Sequence, residues 1–228
     1  EYRYRHPILL NDTLFVTVSQ SGETADTVEA LKAAKKINYN INSLCITNSA
    51  ESSLTRLSEL AFLTHAGPEI GVASTKSFTS QLVALALLTC SIGKLNNAVN
   101  KKQEKDIVDG LKRLPGLIND ALLQEMQIKK LATNFKNSNS ALFLGRGTMH
   151  AIAMEGALKL KEISYIHAEA FPAGELKHGP IALIDQDMPV IAIAPNDELI
   201  GKLKSNLQEV KSRGSQMIVF EDENSKVE

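Results

Sequence analysis

Short apolar runs alternate along this chain with stretches whose apolar residues recur every three or four positions. Leu14–Val18 is such a run and predicts a strand, and the helical spacing that follows predicts a helix over Thr24–Ile37. Ser43–Thr47 then reads as a strand, Ala50–Leu57 as a short helix, Glu59–Thr64 as a strand and Ser74–Ile92 as a long, largely apolar helix. This rhythm belongs to a doubly wound, mainly parallel sheet flanked by helices, a three-layer α/β/α arrangement. Leu60-Ala61-Phe62-Leu63 is apolar at consecutive positions, which suggests a strand buried on both faces.

Between residues 95 and 139 the pattern turns polar and helical, over Asp106–Leu114 and, after Pro115, over Leu117–Phe135. The alternation then resumes with strand Ala141–Leu144, turn Gly145-Arg-Gly147, helix His150–Tyr165, strand Pro189–Ala194, helix Glu198–Ser212 and strand Gln216–Phe220. His6-Pro-Ile-Leu-Leu10 with its strand, polar turn, helix and strand parallels Gly179-Pro-Ile-Ala-Leu183 with the same succession, a weak internal repeat. The expected organisation is a first subdomain over 1–97, a helical connector over 98–139 and a second subdomain over 140–228. Only the second copy has a strand and helix upstream, and only the first continues past the repeat. That asymmetry makes the chain an expected internal piece of a larger tandem repeat.

The junction between the first strand and helix carries Ser19-Gln-Ser-Gly-Glu-Thr-Ala-Asp-Thr27, four hydroxyl residues in nine positions. Backbone N–H groups and the positive helix end converge at such a turn, and Ser19, Ser21 and Thr24 add hydroxyls, so the turn suits an anion. An ordinary N-cap needs one Ser or Thr. No G-x-x-x-x-G-K-[ST] motif occurs, and Gly71–Ser77, which comes nearest, lacks the second glycine. That disfavours a nucleoside triphosphate and favours a small phosphorylated molecule. Gly71-Val-Ala-Ser-Thr-Lys-Ser77 is a second hydroxyl-bearing glycine turn. It either reaches a polyhydroxylated ligand through Ser74 or caps the helix that follows.

Composition narrows the partners. A net charge of −1, 5% aromatics and no Trp give no basic or stacking surface for nucleic acid. The longest unbroken apolar stretch, Leu82–Leu88, is too short to cross a bilayer, and the chain opens on Glu-Tyr-Arg-Tyr-Arg rather than a signal peptide. Asn11-Asp-Thr13 is a formal glycosylation sequon of little weight in that context. Cys45 and Cys90 sit in apolar surroundings and read as buried small hydrophobes in a reducing, cytoplasmic compartment. The five histidines show no zinc-site spacing, so no metal is expected.

The densest chemistry lies in Met154–Pro180. Glu155, Lys159 and Glu162 fall at i, i+4 and i+7, on one helical stripe. On an arbitrary helix this is a solvated face. Here small and apolar neighbours suggest a helix enclosed by protein, and the helix opens at a glycine turn after a strand, where doubly wound folds place ligands. A partly buried Glu beside a Lys suits a general base. His178, in the Lys-His-Gly-Pro turn, has an imidazole suited to proton transfer near neutral pH. His6, His65, His150 and His167 lack such a context.

Ser19-Gln-Ser-Gly-Glu-Thr24, Glu69-Ile-Gly-Val-Ala-Ser-Thr-Lys76, Leu144-Gly-Arg-Gly147 and the block 158–180 together resemble, in order and over essentially the whole chain, the isomerase half of the glucosamine-6-phosphate synthase family. The first motif alone marks the wider sugar-isomerase (SIS) superfamily, whereas block 158–180 is more specific. The resemblance implies two SIS subdomains and a sugar phosphate held by Ser19, Gln20, Ser21 and Thr24, with Val72 and Ser74 on the sugar. It further implies Glu162 as the base moving a proton between C1 and C2, Lys159 assisting, and His178 opening the sugar ring at a neighbouring subunit's site. A homodimer, a glutaminase domain elsewhere in the full enzyme and no cofactor are implied too. The family's nucleophilic cysteine, a further phosphate-site serine and a tail lysine have no counterpart here, so little or no activity is expected of these 228 residues alone. The alternatives are a non-catalytic phosphosugar-binding SIS regulator, in which Lys159 and Glu162 would be superfluous, and another SIS phosphosugar isomerase or deglycase.

Overall fold

The structure, a computed structural model, describes residues 1–227 and divides into two compact units, Glu1–Ile118 and a second from Asn119 onward. Unit 1 holds strands β1 (Leu14–Ser19), β2 (Asn42–Thr47) and β3 (Leu60–Leu63), with helices α1 (Ala25–Ile37), α2 (Ser53–Leu57) and α3 (Lys76–Leu95). The three strands run parallel in the order β1-β2-β3, Leu14 opposite Asn42 and Leu44 opposite Leu60. The central strand β2 is buried from Ser43 to Thr47. Val28, Leu31 and Ala34 recur at helical spacing on α1, and the first two pack with Cys45 and Leu54 into one core cluster.

Three expectations shift here. β3 is an edge strand, and Leu60 is 62% exposed, so its continuous apolar run is not a two-face burial. The helix α3 extends through 20 residues, and with a mean hydropathy of 1.4 over an 18-residue window it is long and apolar enough to cross a membrane by length and composition. The long helix expected over Ser74–Ile92 is present, but the seven-residue run used to judge a bilayer span understated its apolar character, because Thr and Ser positions interrupt the apolar sequence without interrupting the helix. Pro115, expected to separate two helices, lies inside α4 (Lys101–Leu122). It removes one N–H from the ladder, but α4 buries no residue, so the freed carbonyl can turn to water. The break falls instead before α5 (Glu125–Ala132).

Unit 2 carries β4 (Ser140–Gly145), β5 (His167–Pro172), β6 (Val190–Ala194) and β7 (Met217–Glu221) in the parallel order β5-β4-β6-β7, with α6 (Met149–Ser164) and α7 (Ile200–Ser212). β4 sends Leu142 and Leu144 into a core with Leu203, Leu207 and Val210 of α7, and Ala141 and Phe143 into another with Ala153 and Ala157 of α6. Alternate residues of one strand thus build the two faces of a three-layer unit. β5 was not anticipated from the sequence. Its buried face is made by small Ala168 and half-buried Ala170, a period-two signal of low hydrophobicity, yet it pairs with β4 from Ser140↔His167 to Gly145↔Pro172.

Candidate functional site

The carboxyl ends of β1, β2 and β3 lie along one edge of the unit 1 sheet, the position at which open α/β sheets bind ligands. Ser19 ends β1 at 7% exposure, and its Oγ accepts the Gly22 N–H at 3.1 Å while lying 3.2 Å from Thr24 Oγ1. Ser21 is exposed, and its Oγ accepts the Glu23 N–H at 3.2 Å. The Gln20 carbonyl accepts Thr47 Oγ1 at 3.2 Å and the Asn48 N–H at 3.0 Å, which ties the turn to the end of β2.

Gly22 is required where it stands. Its φ is +68°, and a Cβ there would lie 2.1 Å from Ser52 Oγ and 2.5 Å from Ser52 Cβ. The turn closes so tightly that Thr24 reaches the N-cap position of α1 without capping it through its own side chain. Among the described residues, the amides of Thr24, Ala25 and Asp26 donate to no protein group. Free N–H groups and hydroxyls at a helix N-terminus are the chemistry an anion needs.

Three residues that hold this edge together were not singled out in the sequence. Glu23 accepts the Ser53 N–H at 2.7 Å and Ser53 Oγ at 2.6 Å, and the Ser53 hydroxyl above all, then its N–H, lowers the carboxyl's pKa. Asn48 links the end of β2 to the loop that follows β3. Glu69 accepts the Thr75 and Ser77 amides at 3.2 and 3.0 Å and Thr75 Oγ1 at 2.7 Å, capping α3, and these Ser77 and Thr75 donors hold its carboxyl at about 2. A glutamate eight residues from the amide it caps lies beyond any local capping signature, so spacing alone could not reveal it. The cap on α3 is therefore Glu69, which leaves Ser74 half-buried without that duty, while Val72 stands 99% exposed at the loop's tip.

In unit 2, α6 brings Glu155, Lys159 and Glu162 together as their spacing predicts. Lys159 Nζ lies 2.7 Å from Glu162 Oε2 and 3.4 Å from Glu155 Oε1. The hydrogen bond to Glu162, more than burial opposes it, raises the lysine's pKa, so the group stays an ammonium. The helix is less enclosed than expected: Ala153 and Ala157 are its buried residues, while Leu158 is 42% and Ile163 67% exposed. Lys159 lines an apolar cavity of about 790 Å³ walled by Leu131, Phe135, Leu160, Ile191 and Phe220. His178 ends a 3-10 turn over Ala173–His178, exposed, with its Nε2 3.8 Å from Glu175 Oε2, and no ion pair joins it to Glu162 among the described residues. No group of three or more His, Cys, Asp or Glu side chains suited to a metal occurs among the described residues.

The sequence pattern of the SIS domain family matches residues 1–91 and 134–226. The chain belongs to the SIS domain family. Its two matched segments fall one in each structural unit, so each unit is an SIS-like α/β subdomain. The chain is 58% identical over 223 residues to a glutamine–fructose-6-phosphate aminotransferase (isomerizing) of Pseudomonas syringae pv. tomato, covering 98% of this chain and 36% of that protein. Among solved structures, the C-terminal domain of glucosamine-fructose-6-phosphate aminotransferase from Francisella tularensis matches with a TM-score of 0.94 at 52% identity, covering 98% of this chain and 63% of that one. A glucosamine-6-phosphate deaminase structure from Thermotoga maritima matches with a TM-score of 0.74 at 25% identity, covering 96% of this chain and 63% of that one. This SIS chain thus spans little more than a third of the curated relative's length.

Proposed function

We propose that this chain is the sugar-phosphate isomerase part of a glutamine:fructose-6-phosphate aminotransferase, which converts fructose-6-phosphate and glutamine-derived ammonia to glucosamine-6-phosphate. The observation that carries the proposal is the Ser19–Thr24 turn, where hydroxyls and unpartnered amides meet at the start of a 13-residue helix without a lysine or a triphosphate loop. In this reading Ser19, Gln20, Ser21 and Thr24 hold the phosphate, and Val72 and Ser74 meet the sugar. A phosphate grip remote from the reacting carbons supplies binding energy that can be spent on the chemical step.

Glu162 acts as the base that takes the proton from C1 or C2 and returns it to the other carbon. Lys159, kept cationic by Glu162, stabilises the negative charge that develops on the enediol-type oxygen. His178, exposed and not paired with Glu162, opens the sugar ring from a neighbouring subunit of a homodimer. Residues 98–139 serve as a helical connector between SIS subdomains over 1–97 and 140–228, and the glutaminase chemistry resides in a separate domain of a cytoplasmic enzyme of amino-sugar biosynthesis. Lys159 and Glu162 paired on one helix favour this reading over a non-catalytic regulator, which has no use for them.

The test is Glu162→Gln in the intact protein, followed by exchange of the C1 or C2 proton with solvent. Loss of a general base lowers that rate by about 10²- to 10⁴-fold while fructose-6-phosphate still binds. Exchange at the wild-type rate overturns the assignment.

A further inference from the structure

We infer that Asn48 is a positioning residue that couples the phosphate turn to the sugar-facing loop and thereby sets selectivity for a hexose phosphate over phosphate itself. The inference rests on the phosphate reading of Ser19–Thr24 and extends it to a residue that contacts neither ligand part.

Asn48 follows the last residue of β2 and faces two ways. Its backbone N–H donates to the Gln20 carbonyl at 3.0 Å, in the middle of the phosphate turn. Its side chain turns to the segment after β3, where Oδ1 accepts the Ala66 N–H at 2.8 Å and Thr64 Oγ1 at 3.1 Å, and Nδ2 donates to the Gly67 carbonyl at 2.7 Å. The amide's orientation is fixed by chemistry, since Ala66 N–H can only donate and the Gly67 carbonyl can only accept.

The segment it grips is strained. His65 has φ +50° and Gly67 φ +69°, and a non-glycine residue in the left-handed region persists only where its surroundings hold it there. Beyond Gly67 the chain is held again by Glu69, bound to Thr75 and Ser77. Val72 and Ser74 therefore ride on a loop clamped at both ends, by Asn48 at one and Glu69 at the other. Asn48 is the clamp that also touches the phosphate turn.

Substitution separates its two roles, because the backbone bond to Gln20 survives any side chain but the loop's bonds do not. Calorimetry on the intact protein compares fructose-6-phosphate with inorganic phosphate in wild type, Asn48→Ala and Asn48→Asp. Asn48→Ala should weaken fructose-6-phosphate about tenfold and inorganic phosphate less than about twofold, the loss of one to two net hydrogen bonds. Asn48→Asp keeps the acceptor for Ala66 and Thr64 but sets a carboxylate oxygen against the Gly67 carbonyl, and should weaken fructose-6-phosphate at least as much as Asn48→Ala. A residue needed only for stability lowers the melting temperature and leaves the ratio of the two affinities unchanged, so an unchanged ratio overturns the inference. Ser19→Ala checks the underlying reading separately. It should weaken both ligands together, and if both bind as in wild type the phosphate reading falls and this inference with it.

Discussion

The strand–turn–helix junctions β1–α1 and β6–α7 share a backbone plan and differ in what fills them. Each leads from a parallel strand into a helix of 13 residues and on to a parallel neighbour. At β1–α1 the turn is Ser-Gln-Ser-Gly-Glu-Thr, and among the described residues nothing accepts from the amides of Thr24, Ala25 and Asp26. At β6–α7 it is Pro-Asn-Asp-Glu-Leu, and carboxylates occupy two of its amides. Asp222 accepts the Asn196 N–H at 2.6 Å, Asp197 Oδ1 accepts the Leu199 N–H at 2.8 Å, and the Asn196 amide, first among its donors, lowers the Asp222 carboxyl. The first junction sets hydroxyls beside its open amides, whereas in the second turn two amides meet carboxylates. The fold offers the position twice, with different side chains at each.

The largest effect should come from removing the bend that opens the first junction. Gly22→Ala places a Cβ against Ser52 at φ +68° and should cost about 1–3 kcal/mol of unit 1 stability while abolishing phosphate binding, read by thermal unfolding and calorimetry. Next, Asp197→Ala removes the carboxylate that accepts the Leu199 N–H just before α7. It should cost about 1 kcal/mol by thermal unfolding and, on the proposed assignment of the phosphate to the first junction, leave phosphate affinity as it was.

A pH titration sharpens the contrast on the side of unit 1. Glu59 is bound by Lys35 Nζ at 2.7 Å and by Ser43, and the Lys35 hydrogen bond, then that from Ser43, holds its carboxyl at about 2 against 4.5 ordinarily. Its stabilisation is therefore complete above about pH 4.5 and is lost as the pH falls toward 2. Half-exposure limits it to about 1 kcal/mol, and Glu59→Gln should flatten the unfolding midpoint over that window. The smallest effect is expected at Gly201, on the first turn of α7, where an added Cβ would meet nothing within 4 Å. Gly201→Ala should raise stability by about 0.5 kcal/mol, measured by denaturant unfolding, in contrast to the same exchange at Gly22.

Much of this was legible along the chain because it is written in local periods. The βαβ rhythm, the hydroxyl-rich turn and the Glu155–Lys159–Glu162 stripe all depend on residues within a few positions of one another. What escaped depends on partners brought in by the fold. β5 carries its signal in alanines, whose burial only its pairing with β4 reveals. Pro115 marks a helix end by propensity, and an exposed helix overrides it. Asn48 and Glu23 act through hydrogen bonds to segments that parallel strand pairing places beside them, and Glu69 caps a helix eight residues on, beyond any local capping spacing.

If the two junctions differ as their side chains indicate, the first grips the phosphate and the second does not. A crystal structure of the intact protein with fructose-6-phosphate decides the matter. Phosphate oxygens should lie within hydrogen-bond reach of Ser19, Ser21 and Thr24, with none at Asn196–Leu199. Phosphate bound at Asn196–Leu199, or bound elsewhere with the Ser19–Thr24 turn empty, would refute this assignment.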